Sequence, residues 1–301
     1  MVVIILLINF LRLYNMDDEN NIKLAILSMI LSALSFSLMQ IIVKISGRNI
    51  PLMEQVFARN FITLLISLII MIKNKERIFS HKNNIIAILS RAIFGYLGVV
   101  TFFYATNNMI LADASVLQRT SPFWATLFAF IISKEKILNI QWMALIIAII
   151  GSIFIIKPKM NSNLTTSLIA LSSAIFAGIA QATIGFLKGK ESNSLIIFYF
   201  SLISCLLSLI YFKSFVMPNL YDLIALILIG IFAGLGQFFL TISCKKAPVS
   251  TVSIFNYSGV IFSYIFSIFI LNEVLDAYSI FGTILTILAA LTVYFYKKKE
   301  A

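Results

Sequence analysis

Two pairs of polar side chains, 138 positions apart in otherwise apolar stretches, are the residues best suited to bind a solute. Gln118 and Arg119 lie near the middle of the apolar segment 110–133, and the offset aligns them with Asn256 and Tyr257. The planar guanidinium of Arg119 matches a carboxylate or a phosphate group, and the amide and phenol groups would orient a bound molecule through hydrogen bonds. We therefore predict a substrate site formed by both pairs around a central aqueous cavity. In the alternative interpretation, Arg119 pairs with a helix-end carbonyl or a buried acid and only fixes the packing.

Further polar side chains lie within apolar segments, where such groups mark a binding site or a hydrogen bond between helices. Four of them complete the predicted substrate site: Gln40, Tyr96, Gln181 and Gln237. Ordinary interhelical hydrogen bonds, worth about 0.6 kcal/mol each, explain each of these four equally well. Arg59 and Arg91 lie nearer to the ends of their segments, so we expect their side chains to extend to the membrane surface or to anchor a loop.

Catalytic chemistry within a membrane would need a base, a nucleophile or a metal cluster. The one histidine, His81, lies in a basic loop beside Lys82, and no two carboxylates share a segment. The sequence also contains no metal-ligand spacing and no Walker-type phosphate-binding loop. We therefore expect neither an enzyme nor a protein with a metal or another cofactor. Glu135 and Glu273 each end an apolar segment, where we expect them to cap a helix or to pair with a loop.

The composition identifies lipid as the solvent for most of the chain. Of the 301 residues, 60% are hydrophobic and 12% are charged, and the mean hydropathy is +1.01. Soluble domains average roughly 45–50% apolar and 25% charged residues, and a soluble monomer of the present composition would expose apolar patches well above a few hundred Å². A cytosolic enzyme, a secreted disulfide-rich protein and a disordered chain are therefore excluded.

A membrane-spanning helix needs about 20 mainly apolar residues, because the hydrocarbon core is about 30 Å thick and a helix rises 1.5 Å per residue. Ten segments fit this requirement: residues 22–46, 53–73, 83–106, 110–133, 140–156, 163–187, 195–212, 220–243, 248–271 and 277–296. The sequence thus predicts an all-α membrane protein with ten transmembrane helices. The apolar stretch at 1–14 is short for a span and precedes a polar run. Either Met16 is the initiator and leaves an acidic tail, or this leader lies at the membrane surface or is disordered.

The distribution of basic residues predicts the orientation in the membrane. With the N-terminus in the cytoplasm, 14 Lys and Arg residues lie on the cytoplasmic side and 5 on the other side. Because cytoplasmic loops of membrane proteins are enriched in Lys and Arg, we predict a multi-pass plasma-membrane (inner-membrane) protein with both termini cytoplasmic. The same bias explains the net charge of +11 without nucleic acid as a partner.

An internal repeat organises the chain. Residues 110–135 resemble residues 248–273, and the same offset of 138 aligns GYLG at 95–98 with AGLG at 233–236. Five helices per half is an odd number, so the second half would cross the membrane in the opposite direction, as in inverted-repeat transporters that bind substrate between the halves. The expected domains are a leader or tail (1–21), two five-helix repeats (22–156 and 163–296) and a basic C-terminal tail (297–301). Alternatively, the likeness reflects only the similar composition of apolar helices.

The chain resembles the drug/metabolite transporter (DMT) superfamily, in particular its EamA type with ten helices. Four stretches support the resemblance: PLMEQVFARN at 51–60, RAIFGYLGVVTFFYAT at 91–106, LADASVLQRTSPFWATLFAFIISKE at 111–135 and APVSTVSIFNYSGVIFSYIFSIFILNE at 247–273. The resemblance covers residues 22–296 and implies transport of small metabolites such as amino acids, nucleoside-like compounds or vitamins. The second half has Gly259 and Val260 in place of Ser121 and Pro122, so a helix break is not predicted there.

We therefore predict a secondary transporter that moves a small polar metabolite by alternating access through the central cavity. Its partners would be the small-molecule substrate and the lipid bilayer, and a homodimer is one option for its oligomeric state. A flippase for lipids or lipid-linked groups is the alternative, and a membrane sensor without transport is less favoured. Gly230, Gly234 and Gly236 predict a close helix approach in the eighth segment. The sequence leaves the identity of the substrate, the direction of transport and the coupling ion open.

Overall fold

The computed structural model describes residues 22–133, 138–156, 164–187, 190–246 and 253–300, and regular structure in these ranges is helical. Within these ranges, the α-helices are α1 (Ile22–Ser46), α2 (Leu52–Lys73), α3 (Ile85–Asn108), α4 (Leu111–Gln118), α5 (Ser121–Ser133), α6 (Asn139–Ile156), α7 (Leu164–Leu187), α8 (Asn193–Leu209), α9 (Leu220–Lys246), α10 (Ser258–Phe269) and α11 (Ala277–Glu300). Short 3-10 turns in the described ranges lie at Lys82–Asn84, Phe212–Ser214 and Ser253–Tyr257. The predicted leader with Met16 and the expected cap at Glu135 lie outside the described residues.

The helices have the length and polarity of membrane spans. Within the described residues, six are long and apolar enough to cross a membrane: α1, α2, α3, α6, α7 and α9. Shorter apolar helices lie at Asn193–Leu209, Phe255–Phe269 and Ala277–Val293. Large apolar side chains such as Ile69 and Ile72 are exposed on the outside, whereas many Ser, Thr, Asn and Gln side chains are buried. This distribution, the reverse of that in soluble proteins, is that of a multi-pass membrane protein.

The predicted segment 110–133 is not a single helix, because α4 ends at Gln118 and α5 begins at Ser121. Pro122 has no N–H for a helical hydrogen bond and is tolerated only in the first turn of a helix, so it starts a new one. In the second half, the 3-10 turn ends at Tyr257 and α10 begins at Ser258. The sequence predicts no break there, yet the two changes in helical geometry fall at positions aligned by the offset of 138.

The helices pack in recurring pairs. The main contacts are α1–α9, α3–α7, α6–α11, α5–α7 and α2–α8, and further contacts are α2–α9, α3–α8, α1–α10 and α4–α10. The turn between α1 and α2 lies at one end of the bundle, which we call the Ser46 end. The opposite end, where α2 finishes and α3 begins, is called the Lys73 end.

The predicted close approach along α9 is confirmed by its neighbours on α1 and α2. A Cβ atom added at Gly230 would lie 2.2 Å from Cδ1 of Ile62, and one added at Gly236 would lie 2.7 Å from the ring of Phe36. The absence of side chains at these glycines therefore lets α9 pack closely against both helices, as small residues do in membrane proteins.

Candidate functional site

The two changes in helical geometry meet at Arg119. Arg119 directly follows α4, and its Nη1 donates a hydrogen bond to Oδ1 of Asn256 in the 3-10 turn before α10. The hydroxyl of Tyr257 donates to the carbonyl oxygen of Arg119 at 3.0 Å. Pro122, three residues further on, has no N–H to offer that carbonyl. The structure thus brings Arg119, Asn256 and Tyr257 into direct contact.

Gly259, at the start of α10, leaves the space that the guanidinium of Arg119 occupies. A Cβ atom at this position would lie 2.1 Å from Nη2 of Arg119. The carbonyl of Gly259 also accepts a hydrogen bond from Ser37 on α1 at 3.1 Å. Gly259 aligns with Ser121 in the first half, and the sequence gives no sign that it packs against Arg119.

A second layer of polar contacts lies one helical turn away. The hydroxyl of Ser263 on α10 is 2.9 Å from that of Ser115 on α4 and 3.4 Å from Oε1 of Gln40 on α1. Arg119 contacts Gly259. Ser115, which lies four residues before Arg119, contacts Ser263, which lies four residues after Gly259. The order of these contacts shows that α4 and α10 run antiparallel. Gln40 therefore lies one turn from the guanidinium, and the two serines are site residues that the sequence does not single out.

Helix α7 supplies hydrogen-bond partners to the other polar residues around the break. Oε1 of Gln118 accepts from Ser173 at 2.7 Å. Nε2 of Gln181 donates to Ser121 at 3.2 Å, and the Gln181 side chain is exposed. Gln118 and Gln181 are thus positioned by α7 on either side of the junction between α4 and α5.

Tyr96 and Gln237 lie on two other helices, α3 and α9. The hydroxyl of Tyr96 on α3 is 3.5 Å from Sδ of Met53 on α2. Gln237 is half-buried on α9, next to Gly236, whose carbonyl accepts from Ser32 on α1 at 2.7 Å. Tyr96 is therefore part of the α2–α3 contact, and Gln237 directly follows a residue of the α1–α9 contact.

The charge of Arg119 has no counterion among the residues that the structure describes, because its guanidinium bonds only to the neutral amide of Asn256. Arg119 is also half-buried rather than fully enclosed. A buried or half-buried cation without a counterion favours the binding of an anion. In the same described ranges, no cluster of His, Cys, Asp or Glu has the composition of a metal site.

Two cavities lie beside these residues, and Arg119 lines neither of them. The larger, of about 470 Å³, opens at the Ser46 end between α2, α3, α7 and the residues after α8; we call it the vestibule. Its lining includes Met53, Thr101, Tyr104 and Tyr211. Both cavities are mainly apolar, and the smaller one, of about 110 Å³, reaches Thr120. The central aqueous cavity around Arg119 remains a prediction.

An ion pair joins both halves of the chain at the Ser46 end. Lys44 at the end of α1 pairs with Glu273, in the turn after α10, and also donates to the carbonyl of Met109. Oε2 of Glu273 accepts from the backbone N–H of Leu111 at 2.9 Å, which satisfies a free N–H at the start of α4. The expectation that Glu273 caps a helix or pairs with a loop is confirmed.

Comparison with known proteins gives consistent matches. The EamA-like transporter family matches the chain twice, at residues 23–157 and 164–295. The pseudopaline exporter CntI of Pseudomonas aeruginosa (strain UCBPP-PA14) is 30% identical over 280 residues, which cover 92% of this chain and 98% of the exporter. The S-adenosylmethionine uptake transporter of Rickettsia prowazekii (strain Madrid E) is 21% identical over 272 residues, covering 90% of this chain and 92% of the transporter.

A human protein and a solved structure extend these matches. Solute carrier family 35 member G1 of Homo sapiens is 25% identical over 272 residues, covering 85% of this chain and 74% of the carrier. A protein of known crystal structure aligns with a TM-score of 0.62 at 13% identity, over 91% of this chain and 98% of the other, and this likeness concerns the fold alone. The chain therefore belongs to the EamA-like transporter family of the DMT superfamily and is a small-molecule transporter, not an enzyme.

Proposed function

We propose that the chain is a secondary transporter that moves a small polar metabolite across the plasma membrane by alternating access. The metabolite would be amino-acid-like, nucleoside-like or vitamin-like. The observation on which this proposal rests is the half-buried guanidinium of Arg119, without a counterion in the described part of the chain, at the point where α4 meets α10. Its planar fork would hold a carboxylate or a phosphate of the substrate. The other proposed pathway residues are Gln40, Tyr96, Gln118, Gln181, Gln237, Asn256 and Tyr257.

The packing of the helices supports two inverted five-helix repeats, at 22–156 and 163–296. Exchanging the halves replaces α1 with α7, α2 with α8, α3 with α9, α5 with α10 and α6 with α11. Under this exchange the contact α1–α9 becomes α3–α7, α5–α7 becomes α1–α10, and α2–α9 becomes α3–α8; all of these contacts occur. The antiparallel contact of α4 with α10 agrees with opposite directions of the related segments.

The Lys44–Glu273 ion pair supports a closed gate at the Ser46 end. With both termini cytoplasmic, as we propose, this end faces away from the cytoplasm. The pair links α1 and the start of α4 in the first half to the residues after α10 in the second half. A substrate that passes between the halves would require these contacts to separate, so the ion pair would form and break once in each transport cycle.

The substrate class draws on relatives as well as on Arg119. One relative is an S-adenosylmethionine uptake transporter and another is a pseudopaline exporter, so the family moves metabolites in both directions. S-adenosylmethionine joins an amino acid to a nucleoside and has a carboxylate of the kind that a guanidinium binds. We therefore propose a substrate with at least one carboxylate or phosphate group.

Uptake into proteoliposomes tests this function. We expect the full chain to exchange a labelled amino-acid-like or nucleoside-like anion for the same unlabelled compound inside. Arg119→Ala should lower uptake at least about tenfold, and Arg119→Lys should lower it less, because lysine keeps the charge but loses the bidentate fork. Arg48→Ala removes an exposed arginine in the turn between α1 and α2, at the Ser46 end, and should leave uptake unchanged.

Two results would contradict the proposal. Full uptake by both Arg119 variants, at normal expression, would remove this residue from the substrate site. Movement of labelled lipid without exchange of any soluble compound would instead indicate a flippase.

A further inference from the structure

Two arginines outside the central site converge on one aromatic ring. Cζ of Arg59 on α2 lies 5.6 Å from the centroid of Phe200 on α8, and Cζ of Arg91 on α3 lies 4.5 Å from the same centroid. Arg59 is 5% exposed. The sequence predicts that both side chains extend to the membrane surface or anchor a loop, but the structure instead holds them between α2, α3 and α8.

Several polar atoms of these two arginines and of α8 are buried without a hydrogen-bond partner. The Nε atoms of Arg59 and Arg91 are buried without a partner, and so are the hydroxyl oxygens of Ser201 and Ser204 on α8. Nη1 of Arg59 donates to the side-chain oxygen of its neighbour Asn60 at 2.8 Å. Within the described residues neither arginine forms an ion pair. Attraction to one aromatic face does not offset the burial of two guanidinium groups, so an anion bound beside them would stabilise this cluster.

Glycine makes room for one of these cations. A Cβ atom at Gly95 would lie 2.1 Å from Nη1 of Arg91 and 2.9 Å from the ring of Phe200. The same helical turn presents Tyr96, whose hydroxyl contacts Met53. The guanidinium of Arg91 is therefore held against Phe200 by the backbone of α3 rather than by a polar partner.

The vestibule and this cluster lie on the same two helices, α2 and α3. Met53 lines the vestibule and precedes Arg59 by six residues, which is about 9 Å along α2. Tyr96, which contacts Met53, lies on α3 between Arg91 and the lining residue Thr101. Tyr96 thus lies between the vestibule and Arg91 along α3.

We propose that Arg59 and Arg91, with Ser201 and Ser204, form an anion-binding site for an oxyanion, that is, a carboxylate or phosphate group of a solute or of a lipid headgroup. Planar guanidinium groups bind both classes with paired N–H donors, and serine hydroxyls add further donors. The site is separate from Arg119, and its binding is measurable without transport.

Thermal unfolding of the purified full chain in an uncharged detergent tests the site. Inorganic phosphate, acetate or phosphatidylglycerol should raise the unfolding midpoint relative to sodium chloride at equal ionic strength, because a ligand stabilises the state that binds it. Arg59→Gln and Arg91→Gln should raise the half-saturating concentration at least tenfold. Arg59→Lys and Arg91→Lys should have smaller effects. Arg48→Gln, which removes an exposed arginine, is the matched control and should respond like the unmodified chain.

A second readout separates binding from a structural role. Without added anion, Arg59→Gln should unfold at the same or a higher temperature, because a buried charge without a counterion has been removed. A response to phosphate or acetate assigns the site to solutes, and a response to phosphatidylglycerol alone assigns it to a headgroup. Equal stabilisation of the Gln variants and the unmodified chain, or no stabilisation by any of the three probes, would overturn the proposal.

Discussion

At the scale of single residues, the position of the Arg119 guanidinium depends on Gly259, which has no side chain. Gly259 lets Nη2 of Arg119 approach to a distance at which no Cβ fits. Asn256, three residues earlier, then receives the hydrogen bond from Nη1. If Arg119 holds the substrate, the site depends on Gly259 as much as on the residues that form hydrogen bonds.

We predict that Gly259→Ala lowers transport while the protein still folds. The added methyl group would force the guanidinium of Arg119 to move, and overpacking of this kind costs about 1–3 kcal/mol. The expected result is an at least tenfold loss of uptake in proteoliposomes with a lowered unfolding midpoint. Gly185→Ala is the matched control, since nothing lies within 4 Å of a Cβ atom there. Unchanged uptake by Gly259→Ala would mean that transport does not depend on the position of the Arg119 guanidinium.

The sequence predicts part of this site. An offset of 138 aligns Gln118 and Arg119 with Asn256 and Tyr257, and the structure places Arg119 in contact with both residues of the second pair. The contribution of Ser115 and Ser263 could not be predicted, because serine is common in membrane helices and only the crossing of α4 and α10 makes these two neighbours. The burial of Arg59 is likewise decided by tertiary packing.

At the scale of elements, hydrogen bonds at the Lys73 end join the turn before α3 to the turn before α8. Oε1 of Glu191 accepts from Ser80, from the backbone N–H of His81 and from Asn84, at 2.8, 2.9 and 2.9 Å. Partial burial opposes ionisation, but the bonds from Asn84, Ser80 and His81 outweigh it and lower the pKa of Glu191. One carboxylate oxygen thus organises the two turns.

We predict that this contact weakens in acid. Because the pKa of Glu191 is lowered in the folded protein, its stabilisation is complete above the ordinary glutamate pKa of about 4.3 and is lost as the pH falls through the lowered value. Glu191→Ala should destabilise the protein at pH 7 by about 1 kcal/mol. Glu191→Gln keeps the acceptor oxygen and should cost less. Unfolding midpoints between pH 7 and pH 3 test this, and a Glu191→Ala variant with an unchanged pH profile would contradict it.

The helices themselves could be predicted because their length is set by the thickness of the bilayer, and each predicted segment overlaps a helix of the structure. The division of the fourth segment follows from Pro122. The 3-10 turn that ends at Tyr257 could not be predicted, since residues 253–257 include neither proline nor glycine. Its geometry coincides with the hydrogen bonds that Asn256 and Tyr257 make to Arg119, which are tertiary contacts.

At the scale of the whole molecule, an ion pair at the Ser46 end joins the two halves of the chain. The Lys44–Glu273 pair is mostly buried, with side-chain exposures of 16% and 14%. Such a pair is screened less by salt than a surface pair. If the protein works by alternating access, this contact belongs to one of its two states and is absent from the other.

We therefore predict that loss of the ion pair opens the Ser46 end. Lys44→Met and Glu273→Gln should each favour the open state. A coupling of about 1 kcal/mol corresponds to an about fivefold change in the ratio of open to closed molecules. Glu273→Gln retains an oxygen that can accept from Leu111, so it leaves the cap of α4 largely intact. The readout is the rate of maleimide labelling of a cysteine at position 115, where Ser115 is 1% exposed below the pair, after both native cysteines are replaced by serine.

The double variant distinguishes a gate from general loosening of the bundle. Because both substitutions remove the same ion pair, Lys44→Met with Glu273→Gln should label no faster than either single variant, whereas independent effects would multiply. Lys213→Met, which removes an exposed lysine at the same end, should label at the original rate. Unchanged labelling in both single variants, or fully multiplicative rates in the double variant, would show that this ion pair does not hold the two halves together.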